Sequence, residues 1–340
     1  MARPKRRKRT KTDGGPHRRY ILKEEFMSIF DAIIQGIIQG LTEFLPVSSS
    51  GHLSISKHIF GIEMPGILFD IMLHLGTLIA VVFVYRQLIW RLIKEFGSLC
   101  VDIAHRNFKW SEMNHDRRLL FMLVIGLLPL FFLFVPIPGT GLDFQGLSDV
   151  LGSDSDILVE GLALLATSAL LFAGIAANKR VKEVHRHKDA SGRMVSSNGR
   201  KKIHTVDAIL IGITQCLAAI FPGLSRSGST LSVGLLRGIN QQTALDYSFV
   251  LGIPSIAAAA LVSILDMGDQ ADAVGAGALV AGIITAAVVG FLAIKLLKWI
   301  VTTNKLHIFA FYTLIAGGLI TVIGMIEHIT GNNLFTGLPL

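Results

Sequence analysis

Only two cysteines occur in the 340 residues, Cys100 and Cys216, far apart and in no CxxC pair. That spacing supports neither a disulfide framework nor a thiolate metal site. Charge is scarce as well. Asp, Glu, Lys and Arg make up 16% of the chain, too little to solvate an aqueous or disordered protein of this length. The net charge of +8 is not a basic face either. Residues 1–25 hold ten Lys or Arg against Asp13, Glu24 and Glu25, so +7 of the excess sits in one tail. This argues against a nucleic-acid role and for a disordered basic tail near anionic lipid headgroups. The tail has no apolar core and no small-residue cleavage site, so it does not read as a secretory signal peptide.

What is present is apolar sequence in membrane lengths. The chain is 51% hydrophobic with a mean hydropathy of +0.57 and 34 glycines, the composition of a polytopic membrane protein with close helix packing. Full spans are predicted at Ile67–Tyr85, Leu119–Val135, Ile157–Ala177, Ala244–Leu265, Val274–Leu297 and His307–Ile326. Each is long enough, at ~1.5 Å per residue, to cross roughly 30 Å of hydrocarbon. Arg86–Arg118 reads as a basic polar connection with Trp90 and Trp110 as interfacial anchors. Residues 140–156 carry Asp143, Asp149, Asp154 and Asp156 with no Lys or Arg, and Asn178–His204 is basic again. Lys295 and Lys298 close a span and are expected to snorkel. Asp70 and His74, four apart on one helix face, read as a mutually satisfied pair supporting the core rather than as catalytic groups.

Two stretches interrupt this pattern. The first is Gln39-Gly40-Leu41-Thr42-Glu43-Phe44-Leu45-Pro46-Val47-Ser48-Ser49-Ser50-Gly51-His52, between a helix predicted over Phe26–Leu45 and a short one over Gly51–Phe60. An ionisable residue at membrane depth costs at least ~2.5 kcal/mol on insertion scales, so Glu43 and His52 are functional candidates. Pro46 removes a backbone donor and Gly51 permits positive φ, so the helix breaks here. Broken backbone at that depth is tolerated where it is buried in protein or lines a cavity. The second stretch is Pro222-Gly223-Leu224-Ser225-Arg226-Ser227-Gly228-Ser229-Thr230, between Val206–Phe221 and Ser229–Leu236.

The two are related by an internal repeat. At a constant offset of about 176, Asp31, Ala32, Gly36, Gln39 and Pro46 meet Asp207, Ala208, Gly212, Gln215 and Pro222, and Asp70 and Gly76 meet Asp246 and Gly252. Each copy is a re-entrant broken helix pair plus three spans. Three is odd, so the second pair enters from the opposite face. The expected fold is therefore an all-α polytopic membrane protein with an inverted-topology repeat. Its units are a basic tail (1–25), a first repeat (26–177), a basic cytoplasmic loop (178–204), a second repeat (205–327) and a C-terminal tail (328–340). The basic loops place their side in the cytoplasm.

The second break suits an anion. Gly223 and Gly228 let backbone N–H groups approach, Ser227, Ser229 or Thr230 can cap the following helix, and Arg226 adds a bidentate cation. Ser48, Ser49 and Ser50 repeat the arrangement at the first break. Two helix N-termini converging there would hold a diphosphate; the plainer reading is two caps and a snorkelling Arg226. Glu43 near an anion makes sense as the ligand of a bridging divalent cation or as a protonated general acid. His52 can serve as acid, base or nucleophile, or as a structural hydrogen bond at a helix start. Ser49 or Ser50 can be a nucleophile activated by it. Gln39, on the face of Glu43, can orient a ligand or join two helices.

The motifs Gln39-x-x-x-Glu43 running into Phe44-Leu45-Pro46-Val47-Ser48-Ser49-Ser50-Gly51-His52, and Pro222-Gly223-x-Ser225-Arg226-Ser227-Gly228-x-Thr230, resemble the undecaprenyl-diphosphatase family, also called the bacitracin-resistance family. The resemblance covers roughly residues 27–326. It implies an integral membrane phosphatase of a bacterial cytoplasmic membrane, using a divalent cation (Mg or Ca) at the outer face. Its substrate would be undecaprenyl diphosphate, recycled to the monophosphate carrier of cell-wall synthesis. Carried over, Glu43, His52 and Arg226 match positions taken as essential, with Ser49, Ser50, Ser225, Ser227 and Thr230 around the phosphates. Some members have Glu at the position of Gln39, which weakens the case for a two-carboxylate metal site. The competing reading is a transporter or flippase for an anionic lipid; a third is a membrane anchor for a partner of the basic tail. Oligomeric state is not set by the sequence.

Overall fold

The computed structural model describes residues 27–60, 66–109, 113–152, 157–184, 186–188, 194–196, 199–266, 275–338 and 340. The basic tail, Trp110 and the acidic residues Asp154 and Asp156 lie outside them. Eleven α-helices make up the described fold, with one short antiparallel ladder, Arg186–Lys188 on Met194–Ser196, in the basic connection. Six of the helical stretches are long and apolar enough to cross a membrane. Large apolar side chains such as Phe131, Leu265 and Ile329 stand exposed around them. That belt would be a liability in water and is ordinary against lipid.

Each broken pair is built the same way. Helix α1 (Ile29–Phe44) starts on Ser28, whose hydroxyl accepts the Asp31 N–H at 3.0 Å. It stops ahead of Pro46, and the chain turns through Ser48 in the left-handed region (φ 73°) into α2 (Ser49–Phe60). Helix α7 (Thr205–Ile220) starts with the Asp207 carboxylate accepting the His204 N–H at 2.8 Å. It stops ahead of Pro222, and the turn passes through Gly223 (φ 86°) into α8 (Arg226–Leu236). Ser48 and Ser225 play the same part, their hydroxyls accepting the N–H of Gly51 (3.2 Å) and Gly228 (3.1 Å). From Pro46 to Ser48 is one residue shorter than from Pro222 to Ser225. The constant offset therefore slips by one inside the break, setting Ser49 opposite Arg226. Helix α8 also begins earlier than expected, because Ser225 rather than a later hydroxyl is its cap.

The spans differ from expectation mainly in length. Helix α3 (Gly66–Ala104) does not stop at Tyr85. Its 39 residues run ~58 Å, about twice a hydrocarbon core, so the expected polar connection begins as helix. Helix α4 (His115–Leu127) tightens into a 3-10 segment over Leu128–Phe134, where Pro129 removes a donor. The expected acidic loop contains α5 (Phe144–Gly152). Helices α6 (Leu158–Val184), α9 (Gln241–Asp266), α10 (Ala276–Thr302) and α11 (His307–Thr330) complete the bundle. Small residues let the backbones meet. A Cβ on Gly36 of α1 would stand 2.8 Å from the Gly282 carbonyl of α10, and one on Gly317 of α11 would stand 2.9 Å from the Leu165 nitrogen of α6.

One expected side-chain arrangement is not realised. Asp70 and His74 are not a pair: the Asp70 carboxylate takes Lys57 at 3.0 Å, while His74 Nδ1 bonds the Asp70 backbone carbonyl at 2.8 Å. An i, i+4 imidazole reaches the carbonyl below it more readily than the side chain. Lys298 lies over the Tyr85 ring at 4.0 Å and reaches Asp246 at 3.5 Å, both charged side chains staying about one-third exposed.

Candidate active site

The two breaks touch. The Ser227 hydroxyl donates to the Leu45 carbonyl at 3.1 Å, the Gly223 N–H donates to Ser50 Oγ at 3.3 Å, and a Cβ on Gly228 would stand 3.2 Å from Pro46. Glu43, from the end of α1, and Arg226, the first residue of α8, form an ion pair at 2.5 Å. The carboxylate is almost wholly covered and the guanidinium one-fifth exposed. The other carboxylate oxygen accepts the Ser49 hydroxyl at 2.7 Å and the Gln39 amide at 3.2 Å. Arg226 lies flat on Gly252 of α9; any Cβ there would overlap its Nη1. Thus α9 fixes the guanidinium that α8 supplies.

The pair faces a cavity of about 490 Å³, lined by Glu43, Ser48, Ser49, Ser50, Arg226 and Ser227 among polar groups and by Ile256, Ala259 and Leu130 on its apolar side. Ser225 also lines it. The first backbone N–H groups of α2 and α8, those of Ser49, Ser50, Arg226 and Ser227, have no acceptor among the described residues. Unsatisfied first-turn donors carry the positive end of each helix, so the cavity wall combines two such ends with a guanidinium.

Not every expected residue lines the cavity. Thr230 donates to the Arg226 carbonyl at 2.8 Å and meets the Ser248 hydroxyl at 2.5 Å, holding α8 to α9. Gly228 serves the close approach to Pro46. Gln39 stands behind Glu43, fully buried. His52 is the main departure. Its Nδ1 donates to the Ser48 carbonyl at 2.7 Å, which leaves Nε2 to accept the Tyr312 hydroxyl at 2.6 Å. The ring stacks on Tyr312 of α11 and is not part of the cavity wall. It holds the left-handed turn at Ser48, and so the placement of Ser49.

The imidazole on the cavity wall is His74. With Nδ1 donating to the Asp70 carbonyl, Nε2 turns toward Glu43 at 3.8 Å. Gln215 was missed as well. It is buried, lines the cavity, and neither its amide nitrogen nor its oxygen finds a partner among the described residues. Its match to Gln39 in the repeat was the available signal. For His74 the signal was weaker: a helical neighbour of Asp70, without any hint that α3 passes Glu43.

Two touching helix breaks around one buried carboxylate–guanidinium pair, with free N–H donors on both sides, form a polar site inside the bundle of a polytopic membrane protein. Residues 32–319 match the family described as Bacitracin resistance protein BacA, and the chain belongs to that family. It is 38% identical over 309 residues to an undecaprenyl-diphosphatase of Desulfosudis oleivorans, covering 88% of this chain and all of that protein. It is 34% identical over 306 residues to an undecaprenyl-diphosphatase of Alkaliphilus metalliredigens, with 88% and 100% covered. A protein of the same name from Methanosphaera stadtmanae is 35% identical over 301 residues, with 87% and 98% covered.

Proposed function

We propose that this protein is a membrane phosphatase that hydrolyses undecaprenyl diphosphate to the monophosphate and inorganic phosphate, recycling the lipid carrier of cell-wall synthesis. The observation that carries the reading is the Glu43–Arg226 pair with Ser49 on the same carboxylate. An incoming diphosphate competes for the guanidinium and the four free N–H groups. As Arg226 turns to the phosphate, Glu43 is released to take the proton that the Ser49 hydroxyl already directs at it. The Ser49 oxygen then bonds the terminal phosphorus, and the bond from that phosphorus to the bridging oxygen breaks. The lipid monophosphate leaves, and water hydrolyses the phosphoserine. Arg226 and the helix ends stabilise charge on the phosphoryl oxygens. The apolar wall of the cavity, at Ile256 and Leu130, suits the polyprenyl chain.

A divalent cation fits this wall only as a guest shared with substrate. Among the described residues no three His, Cys, Asp or Glu side chains cluster as a metal site. Glu43 is the carboxylate beside Arg226, while Asp70 and Asp149 also line the cavity and Gln39 lies off its wall. Mg²⁺ is commonly held by one or two carboxylates plus substrate phosphates, so Glu43, on the cavity wall, would hold it together with the diphosphate. Such an ion supplies neutralising charge on the phosphate oxygens.

The two breaks support an inverted repeat, and the basic residues of Arg86–Arg118, Asn178–His204 and Lys298–Lys305 support a cytoplasmic side opposite the part of the cavity lined by Phe134 and Ser263, in a bacterial plasma membrane. The test is phosphate release from purified protein given a polyprenyl diphosphate, with mass spectrometry of rapidly quenched enzyme. The expected result is release that Glu43→Ala and Arg226→Ala both abolish, with transient phosphate on Ser49. Movement of the lipid across liposomes without phosphate release would instead favour the transporter reading.

A further inference from the structure

A second cavity, of about 280 Å³, lies at the opposite end of α9 from the site. Leu88 of α3, Leu119 of α4 and Val250 of α9 form its apolar wall. Arg91, His115, Arg118, Lys201 and Lys202 line its polar side together with the Asp246 carboxylate. The carboxylates there are already paired. Asp246 accepts the Tyr85 hydroxyl at 2.6 Å and meets Lys298, and Asp116 takes Arg91 at 3.0 Å. Among the described residues, no carboxylate pairs with Arg118, Lys201 or Lys202. Arg118 is half-buried, so leaving its guanidinium without a counter-ion is costly. A bound anion would balance the charge of this wall.

The wall also says which anion. Helices α3 and α9, and α4 with the 3-10 segment that continues it, are of membrane length, and Arg118 at the start of α4 with the exposed Lys201 and Lys202 in the loop before α7, over an apolar surface, form the kind of pocket that takes a lipid headgroup. We propose that this cavity binds the phosphate of an anionic membrane glycerophospholipid, with its acyl chains running along Leu88, Leu119 and Val250. A free phosphate ion would satisfy the cations but leave the apolar wall wet. A zwitterionic lipid would bring its own cation against the three already there.

The test uses full-length protein in neutral detergent, given phosphatidylglycerol or phosphatidylcholine and read by native mass spectrometry. Wild type is expected to retain phosphatidylglycerol at least ~tenfold better than phosphatidylcholine. The triple variant Arg118→Gln, Lys201→Gln, Lys202→Gln should lose that preference while still releasing phosphate from a polyprenyl diphosphate, since none of the three touches the catalytic cavity. Leu119→Trp, which fills the apolar side, should lose lipid retention without changing charge. Equal retention of the two lipids by wild type overturns the proposal, as does an unchanged preference in both variants. Displacement of the phospholipid by millimolar inorganic phosphate would show a site for soluble anions and overturn it too.

Discussion

Glu43 and Arg226 are 183 residues apart in sequence and 2.5 Å apart in space. Each ends or begins a half-helix, and neither has another formal opposite charge as near. Removing one partner leaves the other uncompensated at membrane depth. Arg226→Gln is therefore expected to cost about 3–5 kcal/mol of stability, with the double variant Glu43→Gln, Arg226→Met recovering most of it. Activity should be lost in all of them. Thermal unfolding in detergent checks the stability part, and a double variant no more stable than the single one would contradict it.

Two histidines are placed differently: His74 lines the cavity, and His52 bonds Tyr312 outside it. His74→Asn should lower kcat by ~10²-fold or more, because Nε2 faces the reacting groups. His52→Asn should act by loosening the Ser48 turn, and Tyr312→Phe, which removes the bond to His52 Nε2, should show a milder form of the same defect. If His74→Asn is fully active while His52→Asn is dead in a folded protein, the imidazole assignment is reversed.

Gly252 is a pure packing test of the guanidinium. Gly252→Ala forces Arg226 off α9, so phosphate release should fall ~10²–10³-fold, the size expected for loss of a preorganised charge on the transition state. Gly318→Ala is the control, because nothing stands within 4 Å of its added methyl. Equal activity of the two variants would show that Arg226 does not need its seat.

Acid should weaken the start of α7. Burial alone would raise the Asp207 carboxyl, but Arg200, the His204 N–H and Arg237 bring it down to about 2, against 3.8 for a free one. A depressed carboxylate stabilises the fold above its unfolded value and loses that contribution as pH falls through the folded one. The contribution, about 2 kcal/mol near neutrality by linkage, should fade between about pH 4 and pH 2. Asp207→Asn should unfold at lower temperature than wild type at pH 7, with the gap closing toward pH 2. A pH-independent gap would assign the effect to shape rather than charge.

Much of this was legible in the chain. Pro46 and Pro222 marked both breaks because each missing donor falls beside a run of hydroxyls and glycines; Pro254, without them, lies inside α9. The likeness of the two broken pairs was legible because Asp31 and Asp207 sit in the first turns of α1 and α7. Glu43, Ser49 and Arg226 stood out because polar groups in apolar sequence are costly unless used. His74 and Gln215 did not, since each resembles an ordinary helix residue until its neighbours across the bundle are known.

The sequence by itself determined where the helices break, which segments are apolar enough for lipid, and which residue types an anion would need. These follow from local rules: backbone donors, periodicity and the cost of burying charge. Only the tertiary structure decided which way each side chain points once two breaks cross. That choice put Glu43 on Arg226, turned His52 to Tyr312 and brought His74 to the wall. Packing against α3, α9 and α11 set it, and contacts between residues so far apart in the chain leave no periodic mark in the sequence.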